Sequence, residues 1–599
     1  MKRLLSLPIV RLAAAVAVAL LAVWRLPDVV DMPANPFGFW GVTILAFAVL
    51  APLLAVAFDN RNKRLAGVSY PLGLLFACFM VLGKAMNGNR ALPEGTFPNV
   101  LSVMFSIAVF TAVCGAAVLL LYRLMLRRDR GKKKKPSTAN GKESPASRLV
   151  GNGFFAFGVL LLCWAPVWLA FYPGTFRYDA DTQFYTYLDG YMTTHQPLLH
   201  TLLLSWVLDL GNEWDSLTLG VALYCGAQLV AMAAILGYAC AWLRRRRAPL
   251  GLRIALLVLF ALLPLYPLWA FSATKDVLFG GFVLLLCLQT VDLWRDGVRW
   301  FRSPLRIAAF ILTAVLMMLL RNNGVYALCL ALPFAVIAAK SRRVRTAVLL
   351  VVCVAAYLGA NALLMHATDA ESGSYVEALS LPLQQAMRAA TYGKTTAEDE
   401  AMLEELFMYY DGDWRDVYTS MCADNVKWNL DEDTLSADPQ SYLALWRRLG
   451  AENPRLYLEA FLEQNLPYYY PGAKMQYNIV LGLLPMDMYE LEQHSLLPGL
   501  KPFYEAYDDT LTLFGLPVTE LLADNAWMVW VTLWLFGLAI YRRRQGATIA
   551  TGFLLALWVT CLLGPIAAMR YMLGFFYATP VLFTLAFARE SAETPPQVH

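Results

Sequence analysis

Residues 150–183 read VGNGFFAFGVLLLCWAPVWLAFYPGTFRYDADTQ. From Phe154 to Phe171 the run is wholly apolar, close to the ~20 residues a helix needs to cross the hydrocarbon of a bilayer. It then breaks at Tyr172, Pro173 and Gly174, and within a few residues it offers Asp179 and Asp181. Charged groups near lipid are costly, so a span that ends on two acids points to a site at a membrane face.

The rest of the chain repeats this grammar. Of its 599 residues, 59% are hydrophobic and only 16% charged, and mean hydropathy is +0.50, which reads as a polytopic all-α membrane protein. Basic clusters such as Arg244–Arg247 and Arg542–Arg544 fall between apolar stretches. Placing them inside, as the positive-inside rule requires, threads the chain as a bundle of about fourteen spans with a consistent alternation. The N-terminal stretch has signal-peptide character without a clean small-x-small site and reads as an uncleaved first span. Ile254 to Phe271 reads as one crossing, and Pro197 to Leu210, too short to cross, as an interfacial or re-entrant helix.

On this threading residues 1–122 form a four-span region and 123–148 a basic, disordered cytoplasmic linker. Residues 149–366 form a transmembrane core with a first outer loop at 172–215. Residues 367–522 form a mainly helical extracytoplasmic domain, with apolar residues at helical spacing such as Leu403, Leu406 and Phe407. Residues 523–588 add three spans and 589–599 a cytoplasmic tail. The expected location is the plasma membrane, with the polar motifs on the extracytoplasmic side. The basic loops suit anionic lipid and not nucleic acid.

Five polar runs share that outer side. In FRYDADTQ, Asp179 and Asp181 supply either a general base, half of a metal shell or a helix cap, with Gln183 beside them. In HQPLLH, His195 and His200 are two of only five histidines, suited to a phosphate or an ion, or simply interfacial. Lys275 beside Asp276 reads either as a plain ion pair with a helix cap or as part of a site. Arg321, followed by Asn322, and Arg570, followed by Tyr571, each end an apolar run and need an anion: phosphate, Asp or lipid headgroup. A divalent metal held by Asp179, Asp181 and His200 is one option; no Cys/His cluster has zinc spacing. No Walker loop, G-x-G-x-x-G or H-E-x-x-H occurs in a credible context, which argues against a nucleotide-driven pump.

The order of these runs resembles the GT-C superfamily of membrane glycosyltransferases, through YPGTFRYDADTQ, HQPLLHTLLL and the closing RYMLGFFYATP. More closely, residues 151–588 resemble an uncharacterised bacterial polytopic membrane-protein family with a GT-C-like core. The shared marks are Tyr172–Gly174, Asp179 with Gln183, His195–His200, Arg321–Gly324 and Leu379–Gln385. The resemblance implies inverting transfer of a sugar from a polyprenyl-phosphate donor to an envelope glycan, lipid or protein. Asp179 is then the carboxylate that deprotonates or orients the acceptor hydroxyl, with Asp181 as the alternative. Lys275, Arg321 and Arg570 face the donor phosphate, and Gln183, His195, His200, Asn322 and Tyr571 complete the site. The competing expectation is a transporter or flippase for a lipid-linked or anionic precursor.

Overall fold

The computed structural model describes residues 8–32, 40–60, 62–133, 143–214, 216–473, 479, 481–483 and 491–588. Among these the only regular elements are helices, joined by a few isolated bridges. The N-terminal region contains α1 (Pro8–Trp24), α2 (Trp40–Phe58), α3 (Lys63–Asn89) and α4 (Phe97–Lys133). The core follows with α5 (Pro145–Val150), α6 (Gly153–Ala170), α7 (Ala180–Leu188), α8 (Leu198–Asn212) and α9 (Leu217–Arg245). It continues through α10 (Leu250–Leu262), α11 (Leu265–Ala270), α12 (Lys275–Asp296), α13 (Pro304–Leu320), α14 (Asn323–Ala338) and α15 (Arg343–Ala367).

An insert then carries α16 (Ser380–Tyr392), α17 (Ala397–Leu406), α18 (Asp424–Asn429), α19 (Glu432–Ala437) and α20 (Pro439–Glu452). It closes with α21 (Pro454–Gln464), α22 (Leu466–Tyr469) and α23 (Lys501–Thr510). The chain ends in α24 (Asn525–Arg542), α25 (Gln545–Cys561) and α26 (Leu573–Ala586).

Among the described residues each of the fourteen apolar stretches is helical, but length and composition alone qualify seven helices to cross a membrane. These are α2, α3, α4, α6, α9, α12 with the turn that follows it, and α15 with the turn before it. The others are shorter or less uniformly apolar. The stretch Ile254–Phe271, expected as one crossing, is two helices, α10 and α11. Pro264 separates them, because it lacks an N–H to continue the helical ladder.

The linker differs from expectation as well. Its first part continues α4 to Lys133, and Pro145–Val150 forms a helix capped by Ser144, which accepts from the Ser147 N–H. Residues 134–142 of that linker, and the tail 589–599, lie outside the described residues.

Packing explains why the N-terminal helices belong to the same body. An added Cβ at Gly73 of α3 would come within 2.5 Å of the Gly115 backbone, and one at Gly115 of α4 would strike the Tyr70 ring at 2.5 Å, so small residues let these two helices touch. The α3 side chain Phe76 stacks on Trp530 of α24 at 4.4 Å, and Tyr122 of α4 donates to the Trp534 carbonyl at 2.7 Å.

The insert has two parts. Val376 to Leu449 encloses its own apolar core, while Tyr468, Ile479, Tyr507 and Leu511 join the core of the bundle. Leu403, Leu406 and Phe407 are buried together, as their spacing predicts.

Candidate active site at one end of the bundle

Two loops form the floor of the site. The loop after α6 and the loop after α11 pair through a parallel bridge between Thr175 and Ser272. The Thr175 N–H donates to the Phe271 carbonyl at 3.1 Å, and the Ala273 N–H returns to the Thr175 carbonyl at 2.8 Å. Gly174 has φ +135°, and a Cβ there would strike Cys225 Sγ at 2.6 Å, so only glycine fits the turn into this bridge.

Tyr178 then turns the chain with φ +64°, a left-handed conformation that costs an aromatic residue on the order of 1–3 kcal/mol. Its hydroxyl donates to the Ile479 carbonyl at 2.7 Å and its ring stacks on Trp269. The result delivers Asp179 to the start of α12.

There, charges from four separate segments meet. Lys275, the first residue of α12, pairs with Asp179 and also donates to Gln196. Asp276, fully buried, pairs with Arg321 from the end of α13. Arg570 donates to Asp179 at 3.0 Å and lies 3.9 Å from Asp276. Tyr571 supplies a floor: Arg321 stacks over its ring at 4.0 Å, and its hydroxyl accepts from Arg570 at 3.2 Å. Asp179 keeps its side chain about a quarter exposed, at 26%. Burial raises its carboxyl pKa, but Lys275 and then Arg570 outweigh that and hold it well below the usual carboxylate range.

Three cations thus face two carboxylates, a formal excess of one positive charge among largely buried groups. Unbalanced buried charge is expensive, and an anion restores the balance.

The neighbours in sequence do not pair with each other as a plain Lys275–Asp276 unit would. Each reaches across to a different partner, and Thr274 caps the helix by accepting from the Asp276 N–H. The segment bearing Arg570 is fixed by the insert: the Ala423 N–H donates to the Pro565 carbonyl at 2.8 Å, and the Ala568 N–H to Tyr468 Oη at 3.2 Å. The insert therefore holds one wall of the site in place.

The two histidines part company. His200 is fully buried, with Nδ1 against Gln183 Oε1 at 3.0 Å and Nε2 against Tyr224 Oη at 2.7 Å. Gln183 also donates to Thr201 at 2.9 Å, and Gln228, next in this chain, donates to the Ser272 carbonyl at 2.7 Å. This buried string ties the Asp179 loop to the Lys275 loop. With both nitrogens taken, His200 offers none to a phosphate or a metal. Correspondingly, among the described residues no three His, Cys, Asp or Glu form a metal-holding group, so the trio Asp179, Asp181 and His200 does not assemble.

His195 is exposed and faces Glu377 of the insert at 3.9 Å. Asn322 is exposed at the head of α14 and makes no side-chain cap. Asp181 lies on the first turn of α7 with Oδ1 buried and without a hydrogen-bond partner. Asp276, Tyr178 and Gln196 were not among the expected site residues. Asp276 had a signal, since a second acid beside Lys275 was visible, but the partner across the fold was not.

The family model that matches describes a family of unknown function (DUF6020) and covers residues 186–598, more than half of the chain. The chain belongs to this family. No curated protein and no solved structure matches it. The DUF6020 region takes in Lys275, Asp276, Arg321 and Arg570, and begins seven residues after Asp179. Three of the four charge-bearing segments of the cluster therefore lie inside the DUF6020 match.

Proposed function

We propose that this protein is an integral-membrane glycosyltransferase. It takes a sugar from a polyprenyl-phosphate donor and passes it to a cell-envelope acceptor on the extracytoplasmic side, with inversion. The observation that carries the reading is the single net-positive cluster of Asp179, Lys275, Asp276, Arg321 and Arg570. Arg321 and Arg570 offer planar donor forks that suit a phosphate, and Lys275 adds a compact charge.

As the bond from the anomeric carbon to the phosphate oxygen breaks, negative charge grows on the leaving phosphate. Fixed cations in a water-poor setting stabilise that charge most where it develops. The low pKa of Asp179 makes it a weak standing base, so its role is to orient the acceptor hydroxyl. It takes the proton only as the oxygen attacks and loses it, while the electron pair of the breaking bond leaves with the polyprenyl phosphate.

The test uses full-length protein in lipid nanodiscs with a panel of labelled polyprenyl-phosphate sugars and an envelope extract as acceptor. Release of polyprenyl phosphate, lost in Asp179→Asn, supports the reading. If no sugar is transferred but labelled lipid moves between the leaflets of a vesicle, the protein is a transporter and the enzymatic reading fails.

A further inference from the structure

The opposite end of the same helices carries a second concentration of positive charge. Lys275 opens α12 and Arg295 lies in its last turn, twenty residues on, which is about 30 Å along a helix. A cavity of about 320 Å³ opens at that far end. Arg246, Arg247, Arg295, Arg542, Arg543 and Arg544 line it, drawn from the ends of α9, α12 and α24 and the turn into α25.

Some of this charge is already committed. Arg246 pairs with Asp292, which also accepts from Trp242 at 2.9 Å, and Arg542 donates to the Ala586 carbonyl. Arg544 donates to the same Ala586 carbonyl, at 3.4 Å, whereas the side chains of Arg247, Arg295 and Arg543 are exposed at the opening and make no ion pair among the described residues, so water alone solvates them until an anion enters. Arg246 also keeps a buried Nε without a partner.

A second feature points the same way. Helix α25, seventeen residues long, begins at this cavity with no side chain capping its first N–H groups, and Gly546 and Ala547 line the wall. An uncapped helix start is electropositive and presents N–H donors. Gly546 lies 3.1 Å, measured from an added Cβ, from both Val291 and Trp294, so α25 is pressed against α12 and its start stays aimed at the opening. Scattered loop arginines satisfy the positive-inside rule without any cavity. Here they converge from three helices around one space large enough for a headgroup.

We infer that this cavity is a binding site for a phosphate-bearing ligand, distinct from the Asp179 cluster and on the far side of the bundle from it. Basic pockets between membrane helices take lipid headgroups by this chemistry, and a soluble phosphate presents the same oxygens.

Full-length protein in detergent is titrated with phosphatidylglycerol, with phosphatidylcholine and with inorganic pyrophosphate. Native mass spectrometry counts bound lipid, and calorimetry follows pyrophosphate. The variant set is Arg247→Ala with Arg295→Ala and Arg543→Asn, the last chosen because Arg543 has φ +57°, which Asn tolerates. Arg299→Ala, outside the cavity, is the control for general surface charge, and Arg570→Ala removes an anion-binding group of the other site.

The triple variant is expected to lose affinity on the order of a hundredfold, at roughly tenfold or less per arginine removed. Arg299→Ala and Arg570→Ala leave the affinity in place. Loss confined to phosphatidylglycerol identifies a lipid headgroup, and loss of pyrophosphate binding identifies a soluble phosphate. If neither probe binds, or if Arg299→Ala weakens binding as much as the triple variant, the site does not exist. Loss of the binding in Arg570→Ala instead would assign it to the Asp179 cluster.

Discussion

Lys275, Arg321 and Arg570 at the bundle end, and Arg388, Arg455 and Arg90 in and beside the insert, each meet a pair of carboxylates. The insert pair is Glu459 and Glu463, exposed by 1% and 2%. Arg388 is buried against both, but Arg455 is 40% exposed and Arg90 75% exposed. The excess positive charge there sits on guanidiniums that water solvates. At the bundle end the cations are themselves only 9–14% exposed, so the excess is held out of water. The first arrangement ties α16 to α21 and needs nothing further. The second stores a demand for an anion, and that demand marks a site.

The sharpest way to break this contrast is Asp276→Ala. It strips the fully buried carboxylate from Arg321 and from the second contact of Arg570. Removing one partner of a buried pair costs about 3–5 kcal/mol, and a lower unfolding midpoint in detergent reads it out. Adding Arg321→Met should recover part of the loss, because the uncompensated charge goes with it. A double variant no more stable than the single one would mean that Arg321 was not the charge left stranded.

Arg570→Ala comes next. It should lower the rate of sugar transfer about 10²- to 10³-fold, the usual cost of deleting one group aimed at developing charge. Arg388→Met should instead destabilise the protein and leave transfer by the folded fraction within about twofold, as a structural tie would. Equal losses of transfer in both variants would erase the distinction between the two clusters.

The acidity of Asp179 gives a third test. Its folded pKa lies below the ordinary 3.8, so the unfolded chain binds the proton more readily. The stability it contributes is complete above 3.8 and is lost as pH falls from there toward the folded value. The gap in unfolding midpoint between wild type and Asp179→Asn should therefore stay constant from about pH 5 to 8 and narrow only below about pH 4. A gap that closes between pH 5 and 7 would show that Lys275 and Arg570 do not hold this carboxylate.

What the sequence revealed follows from the range of each signal. Apolar stretches mark helices locally, and each of the fourteen is helical among the described residues, although Ile254–Phe271 is split in two and seven helices are long and apolar enough to cross a membrane. Asp179, Lys275, Arg321 and Arg570 were visible singly, since each breaks an apolar run. Their pairing was not, because the contacts join residues up to 391 apart. Asp276 was hidden for the same reason: beside Lys275 it read as half of a local pair, and only the end of α13 shows its true partner. The histidines misled in the other direction. Rarity and close spacing made His195 and His200 look like one unit. Five residues along a loop and helix start, however, sent one side chain into the core and the other outward to the insert. The break at Pro264 and the helical continuation of α4 into the basic linker are cases where local chemistry overrode a coarse hydropathy reading.

That separation of the histidines supplies the smallest expected effect. His195 lies 3.9 Å from Glu377, with side chains 44% and 39% exposed, so water screens the pair and either group can leave it freely. His195→Ala should change stability by no more than about 0.5 kcal/mol and transfer by no more than about twofold. His200→Ala is the matched comparison. It leaves the Gln183 and Tyr224 polar atoms buried without their partner, at about 1–3 kcal/mol, and loosens the string that joins the Asp179 and Lys275 loops. A structural joint predicts that His200→Ala lowers stability first and transfer only as the loops drift, so cooling should restore much of the rate. If His195→Ala instead abolishes transfer while the unfolding midpoint stays put, the outer histidine contacts substrate. The boundary of the site must then be redrawn to include the face of the insert around Glu377.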